Sequence, residues 1–417
     1  MEPNPTSLNP VRAERTARSV SGKSADAEPR DRYWLHALLF ILTLVSTVIA
    51  GGQWVGRSAL YVTGDPTSPW TLLLDRAFLL DGFRFGGSLL LFLTVHEFGH
   101  YFAARYHGIR TSLPFYIPTL TLGLGTLGAV IRIREPIPTT RKLFDIGVGG
   151  PIAGFVVALG LLLYALATLP DPSYIMDLDG HEELKNYVQQ FGTYPRRSMD
   201  LTPPDGNSFT ILVGQTPLYW MLTQLFDNVP PMDEMYHYPI LFAGWMGLFF
   251  TALNLLPVGQ LDGGHILFSL VGHKWHTRLA RGFIVLLLVS GSIGFVEDFF
   301  PSLFAMSEVA GRLGWFILSG ILYFYLSRVF KGNHRLIAPL LLGIISVTVW
   351  AQYDKALFSS FGYAGWFIWC LLIIYLIKVE HPPVLQPQTL TPGRKALAIL
   401  SIVIFLLCFS FAPLRVI

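Results

Sequence analysis

"LTVHEFGHYFAARYHG", residues 93–108, places two histidines and a glutamate in a stretch that otherwise reads as membrane-spanning. His96 and His100 are four residues apart, so a helix puts both imidazoles on one face, one above the other. Both can then reach one metal ion. Glu97 follows His96 directly and can approach a metal-bound water without being a ligand. This is the H-E-x-x-H arrangement, two zinc ligands and a general base, of metalloproteases. The plain alternative is a pair of histidines packed between helices. Ionisable groups within a span are rare and functional as a rule, and here three fall within five residues, which weighs against that alternative.

Composition supports a membrane setting. Of 417 residues, 52% are hydrophobic and only 14% charged, too few charges for an ordinary soluble chain of this length. Apolar runs near the length of a bilayer crossing occur at 34–51, 86–105, 143–168, 238–256 with a continuation to about 272, 280–297, 313–330, 336–353, 362–378 and 395–412. The fold expected is an all-α polytopic membrane protein of about nine transmembrane helices, with a small re-entrant or β-hairpin element after the second. Cys370 and Cys408 lie within apolar runs and suggest packed side chains rather than a disulfide framework. Nothing points to nucleic acid, and no internal repeat is evident.

Three regions follow. Residues 1–32 are polar, rich in Arg, Ser and Pro, and read as a disordered cytoplasmic tail. An organelle transit peptide would share the Arg and Ser, but Glu2, Glu14, Asp26, Glu28 and Asp31 argue against one. Residues 33–272 hold the motifs and the acidic segment 169–237, and residues 273–417 add further C-terminal membrane helices. Basic residues recur in every second connection: Arg105, Arg110, Arg132 and Arg134 after the second span, Lys274 and Arg278 after the fourth, Arg328 and Lys331 after the sixth. These connections and the N-terminus are therefore expected in the cytoplasm, segment 169–237 outside it, and the whole in a bacterial cytoplasmic membrane. His107, His273 and His276 fall in the basic connections and are expected to be solvated.

A catalytic zinc site needs a third protein ligand. "TALNLLPVGQLDGGHILFSL", residues 251–270, offers Asp262 among Pro257, Gly259, Gly263 and Gly264. Such a cluster frees backbone groups, which a membrane tolerates only around a cavity or against other protein. His265, three residues on, is a rival ligand. Between the motifs, "SLPFYIPTLTLGLGTLGAVIRIREPIPTTRK", residues 112–142, has four prolines against a spanning helix and an alternating stretch at Ala129–Arg134 that suggests a strand. Gly150 and Gly154 are spaced for close helix contact.

Together, His96-Glu97-x-x-His100 and Asn254-x-x-Pro257-x-x-x-x-Asp262-Gly263 resemble the site-2 protease family of intramembrane zinc metalloproteases, peptidase family M50. "DIGVGGPIAGF" at 145–155 strengthens the likeness, which covers about residues 86–272; beyond them only "HPP" at 381–383 is reminiscent of it. The resemblance implies one Zn²⁺ per chain held by His96, His100 and Asp262, with Glu97 as catalytic acid/base. It implies that Asn254 binds substrate backbone or the oxyanion, that Pro257 shapes the ligand loop and that a β-hairpin lies beside the active site. The substrates implied are single-span membrane proteins already trimmed by another protease. A metal transporter or zinc-sensing membrane protein would use the same three ligands, but neither requires a glutamate at position 97.

Overall fold

A computed structural model describes residues 32–55, 75–119, 123–178, 181–195, 211–358, 360–382 and 384–416. The tail expected at 1–32 lies outside the described residues except for Arg32.

The first helix, α1 (Tyr33–Trp54), shows what solvent the fold is built for. It buries Thr43, Ser46, Thr47, Ala50, Gly51 and Gly52, and it exposes Leu38, Ile41, Leu42 and Val45. A water-soluble helix hides its apolar stripe; this one turns that stripe outward, as a helix facing lipid does. The last helix, α12 (Pro392–Cys408), repeats the pattern, with Ala398 and Ser401 buried and Leu397, Leu400, Val403 and Leu406 outward. Among the described residues six helices are long and apolar enough to cross a membrane, and two shorter apolar ones, Pro239–Asn254 and Trp366–Ile377, accompany them. This is an integral membrane architecture. Length and composition alone do not reach the expected nine spans among the described residues.

The core is a packet of α2 (Arg76–Tyr106), α3 (Thr140–Ala167) and α6 (Pro239–Asn254), with α1 on the outer side of α2. Asp75 caps α2, its carboxylate accepting from the Ala77 N–H at 2.8 Å. The helix ends in a Schellman turn at left-handed Gly108. There the Ile109 N–H reaches the Ala104 carbonyl at 2.9 Å and the Gly108 N–H that of Arg105 at 3.0 Å, while Ile109 packs on Ala104. At 31 residues, α2 is about 46 Å long against a hydrocarbon thickness of about 30 Å, so its ends stand outside the apolar layer.

Two antiparallel strands, β1 (Phe115–Pro118) and β2 (Thr126–Val130), follow α2. β2 begins three residues before the alternating stretch that suggested it, and Ile131–Arg134 continues only as irregular chain bridged at Ile133 to Thr111. The pair docks on α1, where His36 Nδ1 donates to the Pro114 carbonyl at 2.9 Å and Ser46 Oγ to that of Gly125 at 2.6 Å. After α3, segment 169–237 carries a 3₁₀ turn (Pro172–Asp177), α4 (Glu182–Phe191), β3 (Ile211–Val213), α5 (Pro217–Thr223) and a second 3₁₀ turn (Met235–His237). β3 pairs with β4 (Leu414–Val416), which ties this segment to the C-terminus.

The fourth apolar run does not continue to 272 as expected. α6 stops at Asn254, and a new helical stretch, α7, runs from Asp262 to Met306 as two helices joined across a kink at Gly272, whose backbone is left-handed at φ 76°. Pro257 cannot donate a helical hydrogen bond, and Gly259 turns the chain at φ 54°. The Gly259 N–H freed by this break donates to the Val379 carbonyl at 3.1 Å, and a β-carbon at Gly259 would run into the carbonyl of Lys378. The run expected at 280–297 lies in the part of α7 that follows the kink at Gly272, which continues past its expected end to Met306. His276 is fully buried rather than solvated, and His107 is held by Asp145 at 2.8 Å; His273 is exposed as expected.

The C-terminal half consists of α8 (Glu308–Val329), α9 (His334–Tyr353), the short α10 (Lys355–Phe358), α11 (Trp366–Leu372) with a π turn to Ile377, and α12. A strap between α11 and α12 lies along the core. Its Gln386 N–H donates to the Pro138 carbonyl at 3.0 Å, and Arg394 grips Asp145 of α3 with two hydrogen bonds of 2.7 and 2.8 Å. Both cysteines are buried and free.

Candidate metal centre

α2 presents His96, Glu97 and His100 on its buried side, where α3 and the start of α7 meet it. The approach is close because both helices are bare there. A β-carbon at Gly99 would strike the backbone of Gly149, and one at Gly150 would occupy the place of the His100 ring. One at Gly154 would stand 3.0 Å from His96 Nδ1. Gly150 and Gly154, expected to serve helix contact alone, thus also clear the space for the two imidazoles. Pro151 falls inside α3 between them.

The break after α6 delivers the third group. Asp262 is the first residue of α7, not the end of the preceding span, and its carboxylate turns to the histidines. His100 Nε2 lies 3.1 Å from His96 Nε2 and 3.2 Å from Asp262 Oδ2, and His96 Nε2 lies 3.6 Å from the same oxygen. A tetrahedral ion with bonds of 2.0–2.1 Å separates its ligands by about 3.3 Å, so these three edges frame one such ion. His100 Nδ1 donates to the Ile146 carbonyl at 2.7 Å, which leaves the Nε2 lone pair directed at the group. His96 Nδ1 is buried without a hydrogen-bond partner. Two nitrogens and a carboxylate oxygen are a donor set suited to a zinc-type cation.

His265, the rival ligand, points elsewhere. Its Nδ1 lies 2.7 Å from His381 Nε2, and His381 in turn donates from Nδ1 to the Pro382 carbonyl at 2.5 Å. His381 also stacks on Phe268, with ring centroids 4.1 Å apart. The "HPP" stretch thus contributes a histidine that anchors α7 just behind Asp262.

A cavity of about 410 Å³ opens beside the three ligands. Glu97, Asn254, Gln260 and Trp369 line it, together with β2 from Leu127 to Val130 and its extension to Ile131. Asn254 Nδ2 lies 3.4 Å from His96 Nε2. β2 pairs with β1 on one edge only. Trp369 comes from the C-terminal half, and nothing in the sequence around it marked it for this wall.

A model of peptidase family M50 matches residues 85–291, the region that contains every one of these ligands. Over that region the chain is similar to peptidase family M50. The chain is 29% identical over 244 residues to the probable zinc metalloprotease EGY1, chloroplastic, of Oryza sativa subsp. japonica, which covers 57% of this chain and 37% of the relative. It is 28% identical over 212 residues to the probable zinc metalloprotease EGY2, chloroplastic, of Arabidopsis thaliana, covering 51% and 33%. The probable zinc metallopeptidase EGY3, chloroplastic, of Arabidopsis thaliana is 30% identical over 222 residues, covering 53% and 35%. The chain therefore spans about a third of the length of these curated relatives. All three are plant proteins with chloroplast names, so the bacterial membrane expected from the charge pattern finds no support among them. No solved structure matches the chain.

A second group of ionisable side chains stands apart from this centre. His181, Glu234 and His237 meet in segment 169–237, each offering one ligand atom within 4.8 Å of the others. Burial, with the neighbouring His181, pushes His237 down to about 3, while burial raises the Glu234 carboxyl above its ordinary range. None of the three stood out in the sequence.

Proposed function

We propose that this chain is an intramembrane zinc metalloprotease that hydrolyses peptide bonds in or near the transmembrane segments of other membrane proteins. The observation that carries the reading is the triangle of His96 Nε2, His100 Nε2 and Asp262 Oδ2, with edges of 3.1 to 3.6 Å, beside the Glu97 carboxyl in one cavity. The family match and the zinc metalloprotease names of the relatives support it.

His96, His100 and Asp262 would hold a zinc ion, which when bound would supply Lewis-acid activation of water and of the scissile carbonyl. Glu97, next to His96 but outside the ligand triangle, accepts the proton of the attacking water and delivers it to the leaving amine. Asn254 offers a side-chain N–H to the carbonyl oxygen as negative charge develops there. A helical substrate hides its carbonyls in its own hydrogen bonds and must unwind before cleavage. β2 lines the cavity and, among the described residues, pairs only with β1, so its other edge offers backbone groups for an extended segment to pair with, as in strand addition. The substrates of the reading are single-span membrane proteins, cut in the course of regulated proteolysis.

A transporter or sensor would need the ligands alone and leaves Glu97 without a task. The test is cleavage of a single-span substrate in proteoliposomes by the purified full chain and by Glu97→Gln. The expected result is cleavage by the first only, with equal zinc in both. Cleavage retained by the variant would remove the reading.

A further inference from the structure

We propose that His181, Glu234 and His237 form a second site for a divalent cation of the zinc type, which clamps segment 169–237 onto the end of α1. The site is independent of the proposed catalytic centre and shares no residue with it.

Two edges of this cluster match those of the first centre, and all its ligand atoms lie within 4.8 Å of one another. His181 Nε2 and His237 Nε2 face each other at 3.1 Å, and Glu234 Oε2 lies 3.5 Å from His237 Nε2. The far nitrogen of each ring is already engaged. His237 Nδ1 donates to the Val55 carbonyl at 3.1 Å, and His181 Nδ1 donates to Glu234 Oε1 at 2.9 Å. Both rings thus turn a lone pair toward the same point, an arrangement that repels unless a cation stands between them. Glu234 supplies the independent sign of a ligand. The residue is 2% exposed, and its Oε2 is buried without a hydrogen-bond partner. A proton shared between the two rings would relieve the nitrogens but leave that oxygen bare. A cation satisfies all three atoms.

The local chain is bent to serve the cluster. His181 adopts left-handed backbone at φ 63°, unusual for a residue with a β-carbon, at the N-terminal end of α4. Glu234 and His237 are three apart across the 3₁₀ turn, which sets both on one side. Val55 closes α1, so His237 joins the cluster to that helix while His181 joins it to α4. Two imidazoles and one carboxylate leave room for a water as fourth ligand, the usual number for zinc being four.

The experiment counts zinc per chain in the purified full protein by mass spectrometry of the metal. The intact chain should hold two. His96→Ala/His100→Ala should hold one, and adding Glu234→Gln and His237→Ala should bring it to none. Glu234→Gln alone, which keeps the side chain's shape, should hold one zinc and still cleave a model substrate. Cobalt(II) loaded into the His96→Ala/His100→Ala chain should give a visible ligand-field spectrum that vanishes with Glu234→Gln, a signal that mere loss of folding stability would not produce selectively. One zinc in the intact chain, or no change in zinc and cobalt signal on Glu234→Gln, would overturn the proposal.

Discussion

Two clusters in this molecule carry the same donors, two imidazoles and a carboxylate, and differ in what surrounds them. At His96, His100 and Asp262 the next residue along the helix is a further acid, Glu97, and a cavity of about 410 Å³ bounded by a strand edge lies open beside them. At His181, Glu234 and His237 the neighbouring cavity, of about 320 Å³, is reached by His237 alone and by neither His181 nor Glu234, and backbone and aromatic rings pack on the His237 side. Val55 offers its carbonyl to His237, Tyr236 packs on the His237 ring at 4.2 Å, and Trp54 lies behind Tyr236 at 5.9 Å. The ligand set therefore does not by itself decide what a metal does. A proton acceptor at the right distance and a place to lay a peptide make one cluster suited to hydrolysis; the other joins two pieces of chain.

The comparison breaks most sharply at Glu97. Glu97→Gln should lower cleavage by about 10²–10⁴-fold, the usual share of a general acid–base, and leave zinc content unchanged. Metal lost along with activity would make Glu97 a ligand and erase the contrast between the clusters.

Ligand removal comes next. Asp262→Asn keeps the shape but removes the one formal negative charge among the three proposed ligands, so cleavage and zinc at this centre should fall together by at least tenfold. His265→Ala should keep its zinc and lose activity only a few-fold, because His265 is turned to His381. The reverse order, read by metal analysis of both variants, would reassign the third ligand to His265.

Asn254→Ala should retain zinc while kcat falls about 10²-fold, as when one oxyanion donor is removed. A raised KM at constant kcat would instead make Asn254 a contact for bound substrate.

The smallest change to the chain tests the packing. Gly150→Ala and Gly160→Ala add one methyl each to α3. The first meets the His100 ring and should cost the zinc of this centre; the second meets nothing within 4 Å and should leave zinc and cleavage intact, with stability gained by roughly 0.5–1 kcal/mol. Equal, mild effects would show that α2 and α3 part easily at the metal.

Much of this was legible in the residues. Two histidines at i and i+4 with a glutamate between them declare their geometry on any helix, since the helical repeat alone sets both rings on one face. The membrane setting was legible for a similar reason, because long apolar runs follow from the bilayer's thickness whatever the packing. Even the break before Asp262 showed in Pro257 and Gly259, residues that constrain or free the backbone where they stand. What the break does to the element count was not legible. Whether 238–272 is one helix or two depends on the Val379 carbonyl, more than a hundred residues away, that receives the freed Gly259 N–H.

Tertiary structure alone decided the rest. Asp262 stands 162 residues beyond His100 and His265 only three further, so no local pattern chooses between them; the ring of His381 does, by engaging His265. Gly150 and Gly154 show their spacing in the sequence, but only the packed helices show that the space they leave is filled by imidazole. His181 lies 53 residues before Glu234 and carries no pattern of its own, so the second cluster becomes visible only when the chain returns to the end of α1. The physical reason is one of range. Backbone periodicity and the solvent act on neighbouring residues and leave their mark in sequence order, whereas a metal site closes over distances that only the folded chain spans.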